Sequence, residues 1–160
     1  MLDDLSPGLS LRPEDASDED FLRRLYRSTR SDLASLGADA GPILELQYAA
    51  HEAHLHAHHS AANFAIVIRE SMPIGRMVWS IGPEEIHLVE LALLSGVRGR
   101  GIGTALLEAL SRAADRAGQS IRLTVRKNNP ARALYARMGF AEEGASELDV
   151  RMARRPRRYD

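Results

Sequence analysis

Hydrophobic and polar positions recur along this chain with periods that assign most of its length to regular elements. Residues 8–12 (GLSLR) alternate like a short strand, closed by Pro13. Ser17 followed by Asp20 has the spacing of a capping box, and Phe21, Leu22, Leu25 and Tyr26 then share one helical face. Gly37 and the pair Gly41-Pro42 punctuate the chain before a second helix predicted over about 43–59. Strands are predicted at 63–69 (NFAIVIR), 74–81 (IGRMVWSI) and 85–94 (EIHLVELALL), and the short turns between them favour antiparallel neighbours.

The second half reads as strand and helix in alternation. Residues 102–117 predict an amphipathic helix with Ile102, Leu106, Ala109, Leu110, Ala113 and Ala117 on one face, and Gly118 is placed to end it. A strand at 120–125 leads to a helix with Asn129 as N-cap and Pro130 at its first position. That helix should stop at Gly139, with Phe140 folding back onto it before two last strands near 140–143 and 147–153. A right-handed crossover places 85–94 and 120–125 parallel and adjacent. The expected fold class is α+β, a central mixed, mostly antiparallel sheet flanked by helices.

Composition narrows the chemistry. The chain has 160 residues, 44% of them hydrophobic and 27% charged, which suits one globular domain. It has no cysteine, which excludes disulfides, zinc-thiolate sites and a cysteine nucleophile, and makes the reducing cytoplasm the expected compartment. The acidic N-terminus lacks the apolar core of a signal peptide, and no apolar run reaches the roughly 20 residues that cross a bilayer, so no membrane partner is expected. Residues 151–160 carry five arginines. Without interleaved aromatics or a groove-reading motif, they read as the end of a last strand and a solvated tail rather than a nucleic-acid arm. One domain over 1–153 with a basic tail at 154–160 is the resulting organisation.

The most informative segment is LSGVRGRGIGTAL, residues 94–106, which runs from a strand into a helix. Gly99, Gly101 and Gly103 lack a Cβ, so the backbone there can take positive φ and approach a ligand closely. The helix that follows presents unpaired N–H groups and a positive dipole end, and Arg98 and Arg100 add charge. Together these describe an anion site suited to phosphate. A P-loop would need a lysine that is missing. A dinucleotide fingerprint would need a third glycine in a different place and an acidic residue at the end of the next strand, which instead reads Val125-Arg126-Lys127.

What fits is R-x-x-G-x-G/A, carried by Arg98, Gly101 and Gly103, followed by N-x-x-A-x-x-L-Y-x-x-x-G-F, carried by Asn128, Ala131, Leu134, Tyr135, Gly139 and Phe140. In these motifs and in element order over about 8–153, the chain resembles the GNAT superfamily of N-acetyltransferases. The resemblance implies a GNAT-like three-layer fold and an acetyl-CoA cosubstrate without a metal. It implies that Leu91, Ala92 and Leu93 give backbone contacts to the pantetheine arm. Arg98, Gly99, Arg100, Gly101, Ile102, Gly103 and Thr104 would hold the pyrophosphate, and Asn128, or its neighbour Asn129, would reach the cofactor. Tyr135 matches the family's general acid. The chain departs from the family in having Ser95-Gly96 where the turn commonly contains proline.

Direct transfer of an acetyl group to a primary amine also needs a route for the ammonium proton. Glu90, inside the apolar run LVELALL, is one candidate base, because a buried carboxylate needs a cation or a cleft. His87 is the competitor, since family members with a basic residue on this strand often carry it at this distance from the glycine turn. Strand alternation puts Glu90 and His87 on opposite faces unless a bulge intervenes, and ordered water is the third option. His51, His54 and His58 share a helix face at a spacing that could bind zinc, but H-E-x-x-H is absent, because residue 55 is leucine. The preferred reading is a histidine-rich helix edge, which also carries His56 and His59. The resemblance implies that this helix borders the acceptor pocket, where its histidines, with Gln47 and Tyr48, would shape acceptor choice and make it pH-sensitive. The acceptor, small molecule or protein, is not readable from the sequence, and a homodimer is left open. The alternative to an enzyme is a non-catalytic acyl-CoA-binding module on the same fold.

Overall fold

The structure, a computed structural model, describes residues 2–30 and 40–158. Gly37, expected to punctuate the chain, lies outside the described residues. The described elements in chain order are β1 (Leu9–Pro13), α1 (Glu19–Ser28), α2 (Ala40–His58), β2 (Asn63–Arg69), β3 (Met72–Ile81) and β4 (Glu85–Leu93). They continue with α3 (Ile102–Ala117), β5 (Ser120–Arg126), α4 (Ala131–Arg137), β6 (Ala141–Ala145) and β7 (Asp149–Arg154). The strands form one sheet in the order β1-β2-β3-β4-β5-β7-β6, antiparallel throughout except for β4 beside β5.

Period-two alternation along β2 shows how the layers arise. Ala65 and Val67 join the core under α3 and α4, whereas Ile66 and Ile68 face the opposite way, with Phe21, Leu22 and Leu25 of α1 and Tyr48 of α2. Two of the described helices therefore cover each face of the sheet, the α+β sandwich expected from the residue pattern.

Three local expectations shift. The capping box forms between Asp15 and Asp18 around a short 3-10 turn, not between Ser17 and Asp20. Arg12 accounts for the move, since its guanidinium holds both oxygens of Asp18 at 2.6 and 2.8 Å and fixes that residue beneath the turn. On α3 the buried stripe contains Leu107 and Ala114, and Ala113 and Ala117 lie outside it. In α4 the helix proper starts one residue late. Pro130 is the boundary, and Asn129 caps from one position earlier, its side-chain oxygen accepting from the Ala131 N–H at 2.9 Å.

The C-terminal arginines are only partly a tail. Arg154 belongs to β7 and is buried against Asp115 of α3, through hydrogen bonds of 2.8 and 3.0 Å.

Candidate active site

The site is organised by β4, whose two edges have different neighbours. One edge pairs with β3 along its whole length. The other pairs with β5 only at Glu85, Ile86 and His87, after which the strands part. From Leu88 to Leu93 the outer edge therefore has backbone groups with no partner strand, and Leu91, Ala92 and Leu93 lie on that stretch.

A bulge sits at the parting. Val78 pairs with Glu90 and Trp79 with Leu88, so Val89 is an extra residue in β4. It resets the alternation. Ile86 and Leu88 pack into the core under α3 and α4, while both His87 and Glu90 turn towards α2. Plain alternation would set these two side chains on opposite faces, and the bulge brings them to the same one. The two side chains still have separate partners. The His87 ring lies 5.5 Å from that of His59, whereas Glu90 Oε1 lies 2.6 Å from His51 Nε2. His51 and His59 are about 12 Å apart along the helix direction at 1.5 Å per residue.

Beneath Glu90 is a charged floor that sequence reasoning missed. Arg76, 2% exposed on β3, donates to Glu14 through two hydrogen bonds of 2.9 Å and to Glu52 at 2.5 and 3.0 Å, and it faces Glu90 at 3.5 Å. Burial pulls the Arg76 pKa down, but its hydrogen bonds to Glu52 and the charges of Glu90, Glu52 and Glu14 outweigh it, so it stays raised and the group charged. Burial raises the pKa of Glu14 despite the adjacent guanidinium. Tyr48 is pushed up to about 12, by burial first and by the charge of Glu52 second. A signal for Arg76 was present, a lone cation inside the apolar run IGRMVWSI, the counterpart of Glu90 inside LVELALL.

The histidines do not assemble the zinc set that their spacing allows. His51 turns to Glu90, while the His54 and His58 rings stack at 4.2 Å. Among the described residues, the one group with converging ligand atoms is Glu14, Glu52 and His56, and both its carboxylates are committed to Arg76.

At the end of β4 the chain enters the glycine turn. Gly99 and Gly101 take φ of +76° and +77°, the left-handed region, and a Cβ on either would meet nothing within 4 Å. Gly101 caps α3, whose first intrahelical bond runs from Ala105 N to Gly101 O, so the amides of Ile102, Gly103 and Thr104 have no partner inside the helix. This open cradle fits an anion such as a pyrophosphate. Gly103 does not share the positive φ. It is helical, and a Cβ there would press to 3.2 Å on Leu134 of α4, so its smallness serves helix packing. Arg98 folds its Nε onto the Leu93 carbonyl at 3.2 Å, and Arg100 is exposed.

Tyr135 stands on the other side of the sheet from Glu90, buried in the core under α3 and α4 with Phe140 edge-on at 5.7 Å. Burial alone pushes its hydroxyl up to about 12, which keeps it a proton donor across the neutral range. Asn129 has its side-chain oxygen engaged as the cap of α4, whereas Asn128 is exposed in the turn after β5. The parted edge of β4 thus separates a hydroxyl donor on one face from a carboxylate–imidazole pair on the other.

The model of the acetyltransferase (GNAT) family matches residues 21–140. No curated protein matches the chain. Among solved structures, an acetyltransferase from Thermus thermophilus is 21% identical with a TM-score of 0.72, over 94% of this chain and 99% of that one. The PaiA N-acetyltransferase of Thermoplasma acidophilum, in complex with coenzyme A, is 20% identical with a TM-score of 0.69, over 92% of this chain and 98% of that one. An acetyltransferase of Salmonella typhimurium that modifies the N-terminal serine of ribosomal protein L7/L12 is 24% identical with a TM-score of 0.68, over 94% and 96%. Among the described residues, no helix is long and apolar enough to cross a membrane.

Proposed function

The chain belongs to the GNAT acetyltransferase family, and from that premise we propose that it transfers acetyl from acetyl-CoA directly to a primary amine. The observation that carries this reading is the continuity between the unpaired edge of β4 and the open glycine cradle. A pantetheine arm would extend the sheet along Leu91, Ala92 and Leu93. The amides from Gly99 to Thr104 would take the pyrophosphate, helped by Arg98 and Arg100. Asn128, whose neighbour is occupied as a cap, is the cofactor-binding asparagine in this reading.

In the transfer, a backbone N–H near Leu93 would stabilise the oxyanion, and Tyr135 would protonate the departing sulfur. Glu90 lies on the acceptor side, above Arg76, and with Glu14 and Glu52 it makes three carboxylates around one guanidinium. That excess of negative charge favours an ammonium as the incoming group. The acceptor is a small molecule or a protein amine, and the relatives include an enzyme acting on a protein N-terminus.

Calorimetric titration with acetyl-CoA, followed by a thiol-release assay over small amines, polyamines and peptide N-termini, tests the proposal. Binding together with amine-dependent CoA release is the expected result. Binding with no release for any amine would leave a cofactor-binding module, and no binding would overturn both.

A further inference from the structure

Glu90 has both carboxylate oxygens engaged. Oε1 accepts from His51 Nε2 at 2.6 Å, and Oε2 faces Arg76 Nη1 at 3.5 Å. His51 is engaged through one nitrogen. With Nε2 donating its hydrogen to Glu90, the lone pair of the neutral ring resides on Nδ1. The side chain is 33% exposed, against 19% for Glu90, so it is the more open of the two to an incoming group.

We propose that His51 Nδ1 takes the proton of the acceptor ammonium, and that Glu90 is a positioning residue that sets the tautomer of His51 and offsets its charge once protonated. This rests on the N-acetyltransferase reading above. Arg76 completes the relay by holding Glu90 in place. The arrangement has the logic of a carboxylate-oriented imidazole base.

The surroundings suit that role. The Tyr26 ring of α1 lies 5.5 Å from His51, and the Tyr26 hydroxyl accepts from Arg30 at 2.9 Å. Glu90 approaches from β4 and Arg76 from β3, while Tyr48 and Glu52 of the same helix line the same cavity. Its volume is about 20 Å³, room for one water or an amine nitrogen.

The proton balance closes. The ammonium passes one proton to His51, and the neutral nitrogen attacks the thioester carbon. The C–N bond forms, the C–S bond breaks, and Tyr135 protonates the sulfur. The nitrogen's second proton makes good the one Tyr135 gave, and His51 returns its proton to water. The products are amide, CoA thiol and one proton.

The test compares wild type, His51→Gln and Glu90→Gln, with acetyl-CoA and two probe amines. Propylamine is an ammonium at neutral pH, and trifluoroethylamine is largely a free amine. His51→Gln should lose about 100- to 10,000-fold in kcat/KM with propylamine and far less with trifluoroethylamine. Glu90→Gln should lose activity yet keep the acidic limb of the pH profile, which His51→Gln abolishes. Nitrogen NMR of the wild type should show His51 protonated on Nε2. Equal losses of His51→Gln with both amines, no loss with propylamine, or the Nδ1–H tautomer would overturn the assignment alone. A wild type that binds acetyl-CoA but acetylates neither amine would overturn the transferase reading together with it.

Discussion

Arg76 and Glu14, 62 positions apart in sequence, meet through two hydrogen bonds of 2.9 Å and tie β3 to the segment ahead of α1 beneath Glu90. One guanidinium there neutralises part of three carboxylates, and nothing in local sequence announces the meeting. Its energetic weight follows from burial. Breaking a buried ion pair by removing one partner leaves the others uncompensated, which costs about 3–5 kcal/mol.

Arg76→Met should therefore destabilise the protein by about that amount, measured as a drop in the urea midpoint. The loss should be smaller at about pH 5 than at about pH 7. The sign follows from Glu14, whose folded pKa is raised from 4.5 by burial. Its contribution to stability is present below 4.5 and is lost as pH rises through the folded value. Removing Arg76 raises that folded value further.

Asp115 behaves in the opposite sense. Burial pushes its pKa up, but hydrogen bonds from the Arg154 guanidinium and the Arg157 N–H outweigh it, and the folded value lies below 3.8. Its stabilisation is present above 3.8 and is lost as pH falls through the lower folded value. Asp115→Asn should cost about 3–5 kcal/mol near neutrality by leaving Arg154 buried without its counter-charge. It should also flatten the acid limb of the stability profile, as followed by urea midpoints across acid pH.

The glycines of the turn should separate into two classes. Gly101→Ala meets no clash, but it forces a side chain into the left-handed region at a cost of about 1–2 kcal/mol. That strain falls on the cradle, so the dissociation constant for acetyl-CoA should rise about tenfold. Gly103→Ala should instead act through the 3.2 Å contact with Leu134, lowering Tm by loosening α3 against α4. Calorimetry and thermal melts of the two variants distinguish the classes.

Tyr135→Phe should bind acetyl-CoA as wild type does and lose about 100- to 10,000-fold in kcat. Since burial holds the hydroxyl at about 12, the wild-type pH profile should show no alkaline fall from Tyr135 through the neutral and mildly alkaline range. Equal turnover of the phenylalanine variant would remove the acid role.

Expectation and structure agree most closely where periodicity is strong and local. Residues 63–69 and 102–117 coincide with β2 and α3, because a continuous apolar run is buried on both faces of the strand and a regular apolar repeat is buried on one face of the helix. The N-terminal cap moved because Arg12, not local spacing, decides where Asp18 points. Glu14, Arg76 and Glu90 come from three separate stretches of chain, and His51 and Glu52 from a fourth, so no window of sequence contains their arrangement.

The sequence by itself determined the element order and the glycine turn that opens α3, because short-range spacing specifies backbone shape and helix ends, while Tyr135 became a candidate only through the motif shared with the GNAT family. Only the tertiary structure decided which face Glu90 occupies, since one extra residue at Val89 reverses the alternation. It also decided what meets Glu90 there, because packing α2 across the sheet brings His51 to within 2.6 Å. Long-range packing sets such contacts, and the pattern along a single strand does not encode them.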